Sequence, residues 1–119
     1  MLDLPLVVEI VPNESTTSRL LRLTGPLTLS NLFEFQSLVR ADDSRGTIID
    51  MKLVPYADSA GIGSLIGAHL SHQRNDRRFA LVGVNERIVN VLKITHVENL
   101  FSMHKTVEEA ILATQTASA

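Results

Sequence analysis

Short apolar runs with strand-like character recur along the chain. Residues 7–11 and 19–24 are two such runs, and the polar segment 13–18 lies between them. Two strand-like runs joined by turn-forming residues predict a β-hairpin. Residues 47–53 form a third run, which predicts a central strand, and residues 79–84 form a fourth that is almost entirely apolar. A continuous apolar run of that kind is typical of a strand covered on both faces of its sheet.

Four further segments have the apolar spacing of amphipathic helices. Each follows a residue of the type that caps helix N-termini, and these residues are Ser30, Asp58, Asn85 and Thr106. Thr106 and Glu109 also have the spacing of a capping box. The first helix is predicted to end at residues 42–46, and its apolar positions with helical spacing are Leu32, Phe33, Leu38 and Val39, with Phe35 at the edge of that face.

The order of these elements predicts the fold class. With a brief extended segment at residues 101–104 included, the chain reads β-β-α-β-α-β-α-β-α. Strands that alternate with helices predict a mixed sheet with parallel members joined by right-handed crossovers. We therefore expect an α/β fold with a mixed sheet of four to five strands and about four α-helices. A chain of 119 residues has the size of one domain, so residues 1–119 are expected to form a single domain.

The composition and charge of the chain exclude several classes of function. The chain has no cysteine, which excludes disulfides, thiolate chemistry and zinc–thiolate sites. Its 11 lysines and arginines and 13 acidic residues give a net charge of −2, so we expect no basic field for nucleic acid. No apolar run approaches the roughly 20 residues of a membrane span. We expect a soluble, cytoplasmic protein that binds neither nucleic acid nor membrane.

Catalytic and cofactor-binding motifs are absent from the sequence. It contains no P-loop and no nucleophile elbow, and the glycines of residues 61–67 are spaced one residue too widely for a dinucleotide fingerprint. His69 and His72 could share a helix face with Asp76 as metal ligands. The alternative that we favour leaves His72 and Asp76 solvated and His69 half-buried. We therefore expect no catalytic residues, no metal and no cofactor.

One segment at a predicted strand-to-helix junction stands out, namely Asp58-Ser59-Ala60-Gly61-Ile62-Gly63. Aspartate and serine are preferred helix caps, and small residues let a helix pack close to a sheet, so structure alone explains most of this segment. A serine at a helix N-terminus is also a favourable place for a phosphate, because the unpaired N–H groups and the helix dipole favour negative charge. A phosphate there would add a charge of about −1.5 to −2 and disrupt a close contact with a partner. The pattern by itself leaves both roles open.

This motif occurs together with other landmarks in a fixed order along the chain. They are Leu23-Thr24-Gly25, Ile48-Ile49-Asp50, Leu81-Val82-Gly83-Val84, Val91-Leu92-Lys93-Ile94-Thr95 with Leu100-Phe101, and Glu108-Glu109-Ala110. In this order they resemble the STAS domains, and specifically the stand-alone bacterial anti-sigma factor antagonists. The resemblance covers nearly the whole chain, and it implies a STAS-type fold with a core at about residues 7–113.

The resemblance implies a protein–protein switch without enzymatic activity. The family's phosphoacceptor corresponds to Ser59, and the implied partner-binding residues are Thr28, Asp58, Ala60, Gly61, Ile62 and Gly63. The implied partner is an anti-sigma factor that is also a serine kinase with a histidine-kinase-like ATPase fold. The unphosphorylated antagonist binds this kinase and releases the sigma factor, and the phosphorylated antagonist is itself released. A PP2C-type phosphatase then resets the protein.

The chain departs from the family pattern in ways that keep alternatives open. Thr28 stands where members commonly carry an acidic residue, Ala60 replaces a frequent second hydroxyl residue, and His96 stands where glycine is frequent. A constitutive STAS scaffold is therefore the main alternative, bound to a transporter ATPase or a stress-signalling assembly without a phospho-switch. An enzyme is the third. We expect a monomer, because the switch surface must be free for a different partner.

Overall fold

A computed structural model describes residues 5–13, 15, 17–40 and 45–116 of the chain. The described strands are β1 (Val7–Val11), β2 (Ser18–Thr24), β3 (Gly46–Leu53), β4 (Phe79–Val82) and β5 (Ser102–His104). The described helices are α1 (Phe33–Arg40), α2 (Ser59–Arg74), α3 (Glu86–Ile94) and α4 (Val107–Thr116). A short 3₁₀ turn, Glu98–Leu100, precedes β5. No helix in this described part of the chain is long and apolar enough to cross a membrane.

The strands form one mixed sheet in which they lie side by side in the order β1-β2-β3-β4-β5. β1 pairs with β2 in antiparallel orientation, so the predicted hairpin is confirmed. The pairs β2–β3, β3–β4 and β4–β5 are parallel, which places β3 at the centre as predicted. The predicted α/β class with a mixed sheet is therefore confirmed, with five strands and four helices among the described residues.

Helices cover both faces of the sheet, and each face has its own apolar cluster. The larger cluster joins α1, α2 and α3 to one face, and the smaller joins α4 to the other through Leu20, Ile48, Ala80, Val82 and Ala110. All four residues of β4 are buried. Side chains that alternate along β4 belong to different clusters, which confirms that this strand is covered on both faces.

Three of the four predicted caps hold the helices to which they were assigned. The Asp58 carboxylate accepts from the Gly61 N–H at 2.8 Å, and the Asn85 amide oxygen accepts from the Ile88 N–H at 2.9 Å. The Thr106 hydroxyl accepts from the N–H of Glu109. The local sequence therefore predicted these three caps correctly, and with them the starts of α2, α3 and α4.

The prediction that Ser30 caps α1 is wrong. Residues 29–31 form a turn instead. In this turn the Asn31 N–H donates to the Thr28 carbonyl at 3.1 Å, and the Asn31 side-chain oxygen accepts from the Thr28 N–H at 2.9 Å. This local pair of hydrogen bonds delays the start of the helix to Phe33.

The apolar face and the end of α1 also differ from prediction. Phe33 is 71% exposed, whereas Phe35 is fully buried. The two residues lie about 200° apart around the helix, so they cannot both face the sheet. Gly46 opens β3 rather than ending the helix, and the other predicted stop residues, 42–44, lie outside the described part of the chain. β4 ends at Val82 rather than at residue 84, because Gly83 has a φ of +68° and turns the chain out of the strand.

A chain of buried polar side chains connects β2, β3 and α2 between the sheet and the helix. The Arg19 Nε donates to the Thr47 hydroxyl at 2.8 Å, and this hydroxyl lies 2.8 Å from the Nε2 of His72. The other ring nitrogen of His72, Nδ1, lies 2.8 Å from the Ala68 carbonyl oxygen. Because a carbonyl only accepts, Nδ1 carries the proton, and Nε2 accepts from Thr47. The chain of donors therefore runs from Arg19 through Thr47 to a neutral His72.

The expectation that His72 is solvated is therefore wrong. Its side chain is fully buried and its ring lies 5.2 Å from that of Phe79. Asp76 is exposed and His69 is half-buried, as expected. His72 and Asp76 separate because α2 ends at Arg74 and Asp76 adopts a φ of +54°. The described residues contain no group of three or more histidines and carboxylates that could hold a metal ion.

The free energy of unfolding is expected to decrease as the pH falls below about 6.5, and His72 contributes to that decrease. Burial lowers the pKa of His72, and the charges of Arg77, Arg19 and His69 lower it further, against an opposing hydrogen bond to Ala68. The unfolded chain therefore binds a proton at a higher pH than the folded chain does. Above about pH 6.5 both states are neutral at this residue, and below it protonation favours the unfolded state.

Urea denaturation of the wild type and of His72→Gln at pH 7.5 and pH 5 measures this effect. The loss of stability between the two pH values should be smaller in the variant, because glutamine does not titrate. His96→Gln is the matched control, since His96 is exposed and should leave the loss unchanged. Equal losses in all three proteins would contradict the assignment of a lowered pKa to His72.

Candidate functional site

The residues before α2 lie beside the loop that connects β2 to α1, at the end of the sheet where β3 finishes. This loop, residues 25–32, is called the β2–α1 loop below. The Leu27 N–H donates to the Tyr56 carbonyl at 3.1 Å, and the Asp58 N–H donates to the Leu27 carbonyl at 3.2 Å. Leu27 and Ala57 form an isolated parallel bridge. Two segments that are 30 positions apart in sequence thus share one backbone pairing.

The Asp58 carboxylate connects the same two segments through its side chain. One oxygen caps α2 by accepting from the Gly61 N–H at 2.8 Å, and the other accepts from the Leu29 N–H at 3.0 Å. An ionised carboxylate that accepts two backbone N–H groups makes charge-assisted hydrogen bonds. Asp58 therefore holds the β2–α1 loop against the start of α2, in addition to the cap that its position predicted.

Gly61 and Gly63 have different environments although they lie two residues apart on α2. A Cβ at Gly61 would overlap the backbone carbonyl of Leu27, so the close approach of helix and loop requires glycine at this position. A Cβ at Gly63 would meet nothing within 4 Å. Gly61 therefore lies beneath the surface, and Gly63 is part of it.

Ser59 is the first residue of α2 and is exposed. Its hydroxyl has no hydrogen-bond partner among the described residues, so it is available to a second protein. The first N–H groups of a helix lack partners within the helix, and the helix dipole favours negative charge there. A phosphate on Ser59 is therefore compatible with the fold of the free protein.

The other predicted partner-binding residues divide into surface and supporting positions. Thr28 is half-buried, and its hydroxyl lies 3.1 Å from that of Ser30, so the β2–α1 loop presents two hydroxyls. Ala60 is half-buried next to Ser59, whereas Ile62 is buried in the larger apolar cluster. The structure thus gathers all of these positions at one end of the sheet, with Gly61 and Ile62 underneath.

Two apolar side chains at this end were not identified from the sequence as surface residues. Leu29 is 66% exposed and Phe33 is 71% exposed. A signal for Phe33 was present, since it directly follows Leu32 and lies outside the helical spacing of Phe35 and Val39. Leu29 had no comparable signal, because it lies in a loop whose path depends on contacts with α2.

Fold and site together define a small α/β domain in which the exposed Ser59, at the N-terminus of α2, lies beside the β2–α1 loop at one end of the sheet. The model of the STAS domain family matches residues 8–110. The chain belongs to the STAS domain family. The resemblance to this family that the residues indicated is thereby confirmed.

Several proteins that are similar to this chain are named as anti-sigma factor antagonists. A Staphylococcus aureus protein named anti-sigma-B factor antagonist is 28% identical over 81 residues, which are 68% of this chain and 75% of that protein. An anti-sigma factor antagonist from Mycobacterium paratuberculosis has a similar structure, with a TM-score of 0.80 at 15% identity over 92% of this chain and 94% of that one. An anti-sigma-factor antagonist (STAS) domain protein from Planctomyces limnophilus has a TM-score of 0.74 at 21% identity, covering 94% and 99%. These two structures share the fold of the chain.

Proposed function

We propose that this protein is an anti-sigma factor antagonist whose binding is switched off by phosphorylation of Ser59. The observation that carries the proposal is the exposed Ser59 hydroxyl at the N-terminus of α2, beside the loop that Asp58 holds against this helix. The names of the relatives supply the partner class, an anti-sigma factor. The family resemblance supplies the finer identity of that partner, a serine kinase with a histidine-kinase-like ATPase fold.

In the unphosphorylated state, the surface around Ser59 binds the anti-sigma factor and displaces the sigma factor. Small side chains at Ala60 and Gly63 leave room for the partner's backbone to approach closely. The chain contributes a hydroxyl acceptor and a docking surface, and the kinase supplies the catalytic groups. Thr28 replaces the acidic residue common in the family, so this chain offers hydroxyl groups rather than a carboxylate for that part of the contact.

Phosphorylation acts by placing charge in the middle of this contact. The phosphate adds about −1.5 to −2 units of charge directly next to Asp58. Both oxygens of the Asp58 carboxylate already accept backbone N–H groups, so this carboxylate is held in place beside the phosphate. In the free protein, water and the N-terminus of α2 solvate the phosphate. In the complex the phosphate loses its water next to another negative group, which raises the dissociation rate. A PP2C-type phosphatase restores binding.

Phosphate incorporation at Ser59 is the direct test of the switch. We expect that cytosol of the source organism, supplied with ATP, adds one phosphate to the wild type, that peptide mass spectrometry locates it on Ser59, and that Ser59→Ala abolishes it. Ser30→Ala is the matched control, because Ser30 is also exposed and lies on the neighbouring loop. Unchanged incorporation into Ser59→Ala would show that the site assignment is wrong. Recovery of a transporter ATPase and no kinase with the protein would favour the constitutive scaffold.

A further inference from the structure

A groove between α1 and α2 lies beside Ser59, and the proposed phosphorylation switch assigns it no role. Its volume is about 570 Å³. The exposed side chains of Leu29 and Phe33 form part of one wall. Its lining on α2 includes Gly63 and Gly67, one turn apart and both exposed, and a Cβ at either position would meet nothing within 4 Å. The groove therefore has apolar side chains on the α1 side and little side-chain bulk on the α2 side.

The end of the groove far from Ser59 carries positive charge. Arg40 and Arg74, from the last turns of α1 and α2, both line it, and none of the described residues that line it is acidic. Neither arginine forms an ion pair with a described residue. Cations at helix C-termini complement the helix dipoles, and no described carboxylate pairs with either guanidinium group.

The length of the groove sets the size of what it can bind. Ala60 and Arg74 line its two ends and are separated by about 21 Å along α2, at the helical rise of about 1.5 Å per residue. A partner helix of about 14 residues has the same length. Helices that bind in grooves place apolar residues along one face, and the glycines on α2 let the backbones of the two helices come close.

We propose that this groove binds an amphipathic helix of a partner protein, with apolar residues against Leu29 and Phe33 and acidic residues at the end next to Arg40 and Arg74. The apolar wall requires an apolar face on the partner helix. The two arginines require acidic residues at one end of that helix, and this sets the direction in which the helix lies in the groove. That the helix belongs to the anti-sigma factor rests on the proposed function. The preference of the groove for such a helix is a property of this chain alone and is tested without the partner.

The probe is a stapled 14-residue helical peptide with leucines along one face and two glutamates at one end. A control peptide carries lysines in place of the glutamates. We expect the glutamate peptide to shift the backbone NMR signals of Gly63, Gly67 and Phe33, and to bind about tenfold more tightly than the lysine peptide. In Arg74→Glu this preference should reverse. Arg78→Glu is the matched control, since Arg78 lies beyond α2 and outside the groove, and should keep the wild-type preference.

A second pair of variants tests the apolar wall. Phe33→Ser should weaken binding of the glutamate peptide about tenfold, whereas Ile94→Ser should leave it unchanged. Both side chains are more than 70% exposed, so neither substitution removes a core contact. Unfolding midpoints of both variants should therefore match that of the wild type.

Any one of the following results would overturn the proposal. The first is that neither peptide binds. The second is that the NMR signals that shift belong to residues outside the groove. The third is that the two peptides bind with equal affinity. Groove signals that shift with protein concentration alone would show that a second copy of the chain occupies the groove, which also contradicts the proposal. Failure of phosphorylation at Ser59 would leave the peptide results unchanged, so the two proposals fail independently.

Discussion

Replacing Gly61 with valine is expected to reduce the free energy of unfolding by about 3 kcal/mol, the upper range for overpacking a buried position. The new Cβ would overlap the Leu27 carbonyl oxygen. This oxygen belongs to backbone and also accepts from the Asp58 N–H at 3.2 Å, so it cannot move without breaking the pairing of the β2–α1 loop with α2. The substitution therefore separates helix from loop and disturbs the surface around Ser59.

Gly63→Val is the matched control for this prediction. It is the same substitution two residues further along the same helix, at a position where a Cβ meets nothing within 4 Å. Valine has a somewhat higher helix propensity than glycine, so the stability of this variant should equal or slightly exceed that of the wild type. Urea denaturation of both variants measures the difference. Equal destabilisation by the two substitutions would mean that the contact with Leu27 does not determine the need for glycine at residue 61.

Ser59→Asp is expected to weaken binding of the anti-sigma factor by about 2 kcal/mol, or roughly 30-fold, while the fold stays intact. The carboxylate introduces negative charge next to Asp58 in the proposed contact. In the free protein the same carboxylate lies in the first turn of α2, where the helix dipole stabilises it by about 0.3–1 kcal/mol. Binding and stability should therefore change in opposite directions.

A pull-down from the cytosol of the source organism with wild-type, Ser59→Ala and Ser59→Asp baits identifies the partner, and calorimetry with the purified partner measures the affinities. Ser102→Asp is the charge control, because Ser102 is exposed at the start of β5, at the opposite end of the sheet. It should bind like the wild type. Equal recovery of one partner by all three baits would contradict the switch and support a constitutive scaffold. A large decrease in the melting temperature of Ser59→Asp would instead show that Ser59 is structural.

Most of the secondary structure could be predicted from local sequence. The β1–β2 hairpin, the buried strand β4 and the caps at Asp58, Asn85 and Thr106 all follow from patterns within ten or so residues, and the structure confirms them. The motif of residues 58–63, together with the other landmarks in their order along the chain, also indicated the family before any contact was known. Ser59 as phosphoacceptor stays a prediction.

The prediction of α1 shows the limit of this reasoning. Leu32, Phe33 and Phe35 are all apolar, and helical spacing separates Phe33 from Phe35 without saying which of the two faces the sheet. The turn at Thr28 and Asn31 sets where the helix starts and so its rotation, which turns Phe33 outward. The outward Phe33 forms part of the wall of the groove beside Ser59, and a groove between two packed helices cannot be derived from composition or periodicity.

The sequence by itself determined the order of strands and helices, the fold class, three helix starts and the family. Only the tertiary structure decided that Gly61 lies against Leu27, that Asp58 holds two segments together, and that His72 is buried with Thr47. Each of these contacts joins residues about 25 to 35 positions apart. Local preferences act within a few residues, whereas such contacts depend on the register between parallel strands and on the packing of helices over them.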